Sequence, residues 1–272
     1  MTTEAQAKQE KPVLNYPSYE LLEAIKPRPS VKQIKDMLAN YYNVVSKGFD
    51  EFNTNDMRSK YLRMSESLVA GALRERGNIK KLLSIGAGTG AREIAIRNES
   101  KLDFAITCVD ISPDMCESAR KNGLEAVCGS FQDVDLPDNT FDAGMCLNAI
   151  EGLVGYEDRL AFFVKLHQVL KRGATFVVDV PDLNDRSGWG EAVKEQFRSE
   201  NLAEQGYELG DFFYRRVDHD VISFAHYHSY DELSEIFKRS GFSIGRLIYI
   251  NEQRGEITEP GDGTMFFFLV AE

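Results

Sequence analysis

The stretch LLSIGAGTGARE, residues 82–93, runs from an apolar segment through three glycines at alternate positions into a helix start. An apolar strand, a glycine turn and a helix N-terminus suit a nucleotide-type ligand: the turn lacks side chains that would block approach, and backbone N–H groups point outward. Two spacings overlap here. Gly86, Gly88 and Ala91 satisfy G-x-G-x-x-G/A, while Gly86, Gly88 and Gly90 satisfy G-x-G-x-G. The turn alone does not separate them.

On either side the pattern alternates. KKLLSIGAG, DFAITCVDIS, LEAVCGS, FDAGMCLNAI and ATFVVDVP read as strands. AREIAIRNE, PDMCESARKNG and YEDRLAFFVKLHQVLKRG read as helices, the second with Ser112 as cap, Pro113 at its first position and Gly123 past its end. Strands alternating with helices at this spacing predict a parallel sheet covered on both faces. Ligands on such sheets sit outside the C-terminal strand ends. Gly86, Asp110, Ser130 and Asn148 all fall at such ends, and Asp110 follows Gly90 by 20 residues. Its carboxylate suits the two ribose hydroxyls of an adenosine-type ligand.

The remaining segments frame this core. Residues 1–16 are polar and are expected to be mobile. Residues 17–78 read as a helical cap: Ser30 caps one helix whose stripe runs Val31, Ile34, Met37, Leu38, Tyr41 and Val45, and a second helical region ends near Gly77. Residues 79–272 form the core domain. Within it, about 181–228 reads as a lid rich in aromatics, with two short strands flanking Asp218-His219-Asp220. Ser229 and Glu232 then form a capping box before a helix closed by Gly241, and two terminal runs suit an antiparallel pair.

Composition narrows the function classes. The 272-residue chain carries a net charge of -11, with no block of Lys and Arg, which argues against a nucleic-acid partner. No apolar stretch reaches membrane-span length and no signal-peptide core opens the chain, so a cytoplasmic protein is expected. Cys108, Cys116, Cys128 and Cys146 have no CxxC spacing and read as free thiols. His226-x-His228 is the one metal-like spacing; with no acidic or Cys partner nearby in sequence, no metal is expected. The chain leaves the oligomeric state open.

The stretch CGSFQDVDLPDNTFDAGMCLNAIE resembles the corresponding segment of class I S-adenosylmethionine-dependent methyltransferases. The matching pieces are Gly129-Ser130-Phe131, the phrase LPDNTFD at 136–142, and Asn148 at a strand tip; Tyr42 and Phe49-Asp50 match the aromatic positions that often precede the family's glycine turn. Ser130 departs from the family, which frequently has Asp there. The resemblance implies a doubly wound, mostly parallel seven-stranded α/β sheet whose last strand is antiparallel. It also implies S-adenosylmethionine as cofactor, leaving S-adenosylhomocysteine as product. The cofactor would be held by Tyr42, Gly86, Ala87, Gly88, Gly90, Asp110, Ile111, Met115, Ser130, Phe131, Gln132 and Asn148.

The expected reaction is methyl transfer to oxygen or nitrogen of a small organic acceptor, with natural-product biosynthesis a plausible setting. A hydroxyl acceptor needs a base. His226 and His228 on a lid strand, Asp182 after the fifth strand and Glu151 after the fourth are the candidates. Two rivals stand. A protein of the same fold could bind the cofactor for cyclisation, decarboxylation or regulation. A nicotinamide-dependent oxidoreductase would need a Tyr-x-x-x-Lys pair, which the sheet region lacks.

Overall fold

The computed structural model describes residues 19–21, 25–52, 56–186, 188–216 and 220–272. The expected mobile segment 1–16, and Asp218 and His219 of the lid turn, lie outside the described residues.

Eleven strands and eight helices are described. The core begins with β2 (Lys81–Ile85), after the short β1 (Tyr19–Leu21), α1 (Val31–Val45), α2 (Phe49–Phe52) and α3 (Asp56–Arg76). It continues through α4 (Ala91–Ser100), β3 (Ala105–Asp110), α5 (Pro113–Lys121), β4 (Glu125–Cys128), β5 (Phe141–Cys146), α6 (Tyr156–Val169) and β6 (Leu170–Val180). There follow α7 (Gly190–Ser199), β7 (Asp211–Arg216) and β8 (Val221–His226), and the chain ends with α8 (Tyr230–Arg239), β9 (Phe242–Asn251), β10 (Glu256–Thr258) and β11 (Thr264–Ala271).

The main sheet has the order β10-β9-β11-β6-β5-β2-β3-β4. β2 pairs in parallel with both β3 and β5, so strand order reverses there, and the crevice opens at the ends of these strands. β11 runs antiparallel between β6 and β9. The seven-stranded expectation therefore holds, and the short β10 adds an eighth strand at the edge. Alternation divides the sheet's side chains between two cores. Leu83, Ile85, Cys146, Phe176, Val178 and Phe267 face Phe162, Phe163 and Leu166 of α6 and Ile236 and Phe237 of α8. Leu82, Met145, Val177 and Phe266 face Tyr61, Val69 and Leu73 of α3 and Ile96 of α4.

Some boundaries differ from the sequence reading. The helix expected to reach Gly173 ends at Val169, because Leu170 pairs with Phe141 and joins β6. In α8, Ser229 Oγ accepts from Glu232 N at 3.2 Å. The return half of that capping box is not made, since the Glu232 carboxylate turns to Arg159. β1 adds to the β7–β8 hairpin as a separate three-stranded sheet, which the sequence did not signal.

The N-terminal helices are tied to the strand tips by side chains. Ser112 Oγ donates to Asn43 Oδ1 at 2.6 Å, and Thr89 Oγ1 donates to Asp50 Oδ1 at 2.7 Å. All four cysteines are free thiols, and Cys128 alone is exposed. Among the described residues, no helix is long and apolar enough to cross a membrane.

Candidate active site

A cavity of about 650 Å³ opens at the C-terminal ends of β2, β3 and β5. Its wall includes Tyr42, Gly86, Ala87, Gly88, Asp110, Ile111, Met115, Ser130, Phe131, Gln132 and Asn148. The structure thus brings together eleven of the twelve residues that the sequence nominated for the cofactor. Gly90 is the exception. It caps α4 with φ +78°, and a Cβ there would stand 2.4 Å from Leu124 Cδ1. Close packing and a left-handed turn, not cavity access, account for glycine at 90.

The other two glycines divide similarly. A Cβ on Gly86 would meet Ala149 Cβ at 2.3 Å, at φ +67°. On Gly88, at φ +57°, its nearest contacts are Phe49 Cε1 at 3.5 Å and Met115 Sδ at 3.9 Å. Gly86 is therefore held by packing, whereas a methyl on Gly88 enters cavity space between Phe49 and Met115. Gly86→Ala should destabilise the fold by about 2 kcal/mol through overpacking and left-handed strain. Gly88→Ala should cost about 1 kcal/mol in stability yet weaken S-adenosylhomocysteine binding severely. Thermal melts beside binding titrations check this; equal stability losses with equal affinity would contradict it.

Asp110 sits at the tip of β3 and is already engaged by the backbone. Its Oδ2 accepts from Gly88 N at 2.8 Å and its Oδ1 accepts from Ser112 N at 2.9 Å. Burial raises its pKa, and those two N–H groups work against the rise. Ser112 is the cap of α5, with its Oγ accepting from Met115 N, so Asp110 is not needed as one. Ser130 Oγ donates to Gln132 Oε1 at 2.8 Å. The Gln132 amide nitrogen is buried on the cavity wall with no protein partner.

Two residues missed in the sequence stand beside the glycine turn. Arg92 Nη1 donates to Asn148 Oδ1 at 2.9 Å, joining α4 to the tip of β5, and its Nε is buried without a partner. Glu93 accepts from Ser84 Oγ at 2.7 Å through Oε1, while its Oε2 is buried and unpartnered. Ser84 was the available signal: a lone hydroxyl inside an apolar strand implies a polar partner. Burial pushes the Glu93 carboxyl up to about 6, against the pull of the Ser84 hydroxyl.

A raised carboxyl holds its proton longer in the folded chain than in the unfolded one. Stability from this group therefore falls as pH rises from about 4.5 to about 6, by about 2 kcal/mol in all. Glu93→Gln removes that cost, because its amide oxygen still accepts from Ser84. The variant should be about 2 kcal/mol more stable than the parent above pH 6 and equal to it below about pH 4. Denaturant titrations across pH check this, and a difference independent of pH would contradict it.

The candidate bases separate. Glu151 lines the cavity. Asp182 lies outside it, in a small surface depression with Asn184, Arg186 and Tyr230. His226 and His228 are buried but do not line the cavity. Alternation along β8 and the residues after it turns Ala225 and Tyr227 to the cavity and Phe224, His226 and His228 away. The aromatics of about 181–228 divide between the cavity and a core against α1. Trp189, Phe212, Tyr214 and Tyr227 line the cavity, and Trp189 packs edge-on to Phe212 at 5.5 Å. Phe197, Tyr207, Phe213 and Phe224 instead pack with Ile34 and Leu38 of α1.

A switch-point crevice with a glycine turn on the first strand, an acid on the second and antiparallel closing strands defines the class I methyltransferase fold. Comparisons agree. Residues 83–178 match the family model described as a methyltransferase domain. No curated protein sequence matches the chain. Among solved structures, an S-adenosylmethionine-dependent methyltransferase from Clostridium acetobutylicum aligns with TM-score 0.58 at 14% identity, covering 82% of this chain and 98% of that one. Magnesium protoporphyrin IX methyltransferase from Synechocystis PCC 6803, solved with bound S-adenosylmethionine, gives TM-score 0.56 at 14% identity, with 88% and 97% covered. A possible histamine N-methyltransferase from Thermotoga maritima gives 0.55 at 15%, with 85% and 99% covered. Residues 83–178 match a methyltransferase domain, and the chain shares its fold with enzymes that use S-adenosylmethionine as cofactor.

The residues present fit that cofactor. Gly88 leaves a space that a Cβ would fill, and two buried donors, on Gln132 and Arg92, face the cavity region without protein partners.

Proposed function

We propose that the protein transfers a methyl group from S-adenosylmethionine to oxygen or nitrogen of a small organic acceptor. One observation carries this reading: the glycine turn and the aromatic wall of Trp189, Phe212, Tyr214 and Tyr227 line one and the same cavity of about 650 Å³. That volume and apolar lining suit small molecules. Two structural neighbours bear names of small-molecule methyltransferases, for magnesium protoporphyrin IX and, as a possibility, histamine.

The bound cofactor supplies an activated methyl on a sulfonium. The chain's own residues then bind, orient and exclude water. Asp110 would accept from the ribose hydroxyls, Gln132 would donate to the adenine, and Ile111 and Met115 would flank the ring. Arg92 holds Asn148 at the tip of β5. The lid aromatics fix the acceptor for in-line attack and keep solvent out. Glu151 takes the proton of a hydroxyl acceptor; it is the one of the four base candidates on the cavity wall. The described helices within 17–78 would act as a cap, and the described residues of about 181–228 as the lid.

The test is incubation with deuteromethyl-labelled S-adenosylmethionine and a small-metabolite extract, read by mass spectrometry. A labelled metabolite formed together with S-adenosylhomocysteine is expected. Label appearing only in protein or nucleic acid would overturn the small-molecule reading. Tight cofactor binding with no label transferred anywhere would favour non-transfer chemistry on the same fold.

A further inference from the structure

The chain behind the cavity wall, on the opposite side of β8 from Ala225 and Tyr227, holds a second polar cluster. His226 is 1% exposed, and its Nδ1 lies 2.7 Å from Asp211 Oδ1. A carboxylate there selects the Nδ1–H tautomer and leaves Nε2 with its lone pair. That Nε2 has no hydrogen-bond partner and lies 3.6 Å from Glu232 Oε2. His228 is fully buried, and neither of its ring nitrogens has a partner. Its Nδ1 is 4.0 Å from Glu232 Oε1. Donor atoms of the three residues all lie within 4.8 Å of one another.

The geometry points to a divalent metal site, best matched to zinc, formed by His226 Nε2, His228 Nδ1 and Glu232 Oε2. Zinc takes nitrogen and carboxylate donors at about 2.0–2.2 Å, which in a tetrahedral shell sets donors about 3.4 Å apart. The separations here close to that value with small side-chain shifts, and a water completes the shell. Outer contacts of the kind that orient metal ligands are in place for two of the three. Asp211 orients His226, and Arg159 Nε holds Glu232 Oε1 at 2.7 Å, leaving Oε2 to coordinate.

Charge supports a cation. The carboxylates of Asp211, Glu208 and Glu232 face two guanidiniums, Arg28 on Asp211 and Arg159 on the other two. A proton on His226 would balance that excess, yet it would leave both nitrogens of His228 dry and unbonded. A metal gives both His226 Nε2 and His228 Nδ1 a partner, leaving only His228 Nε2 unbonded. The ion would fasten β8 to α8 and so fix the wall that Ala225 and Tyr227 present to the cavity.

The test uses tag-free full-length protein stripped with EDTA and titrated with Zn²⁺ alone against a chromogenic chelator. One equivalent bound, with a rise in unfolding temperature that EDTA reverses, is expected. His228→Gln should weaken binding at least about 100-fold, and Asp211→Asn about 10–100-fold. Co²⁺ added to the stripped parent should give the intense visible bands of a tetrahedral shell, a readout that stands if the variants fail to fold. No bound equivalent, a weak octahedral Co²⁺ spectrum, or equal Zn²⁺ binding by His228→Gln would overturn the site and leave the protonated pair.

Discussion

Asp110→Asn should lose S-adenosylhomocysteine binding by about 100-fold or more, with much of the fold's stability retained. The carboxylate is the joint between the glycine turn and the α5 cap: one oxygen accepts from Gly88 N and the other from Ser112 N. Its remaining lone pairs are what the ribose hydroxyls would use. Asparagine keeps one oxygen and sets an amide N–H₂ against one of those backbone donors. The turn then shifts, and one charged acceptor is lost. Hydrogen bonds to a charged group contribute about 1.5–3 kcal/mol each, and about 2.7 kcal/mol is 100-fold in affinity. Calorimetric titration, with a melt of each protein as control, measures this. Affinity within threefold of the parent would remove Asp110 from the cofactor site.

Arg159→Met should destabilise the chain by about 3 kcal/mol in buffer containing EDTA, the largest stability loss expected here. The Arg159 side chain is 2% exposed, and it joins four segments. From α6 it reaches Glu232 of α8, Glu208 before β7, and the Leu153 carbonyl in the loop before α6. Methionine fills much of the space but leaves two carboxylates unpaired. Those carboxylates are 38% and 20% exposed and so reach water, which holds the cost near the low end for a buried pair. Urea unfolding gives the number. A loss under about 0.5 kcal/mol would mean the lid docks through its apolar contacts alone.

The core strands and the residues gathered at the glycine-turn end of the cavity were legible because each rests on local pattern. A buried strand, a glycine turn and a capped helix announce themselves within a dozen residues, as 82–93 and 112–123 do. Gly90 shows the limit of that pattern: spacing shows that a glycine is needed, not whether Leu124 or a ligand is what a Cβ would strike. The histidines show the limit more sharply. Alternation correctly put His226 and His228 on one face, but the choice between faces depends on what packs on each. Asp211, on the neighbouring strand, pairs with His226 only through the hairpin register. Glu232 reaches the same cluster from the next helix. Asp211 lies 15 residues from His226 in sequence, whereas Glu232, only four residues after His228, reads there as a helix-cap partner, so neither acid was placed in the cluster. Arg92 and Glu93 were overlooked because they read as an ordinary polar helix turn until Ser84 and Asn148 are seen beside them.

The most direct test of the central claim is a parallel calorimetric titration of the full chain with S-adenosylhomocysteine and with NADH. One-site binding of S-adenosylhomocysteine, with no heat from NADH, is the expected result. Binding of NADH, or of neither compound, would contradict the assignment of the cavity at 82–93 to S-adenosylmethionine.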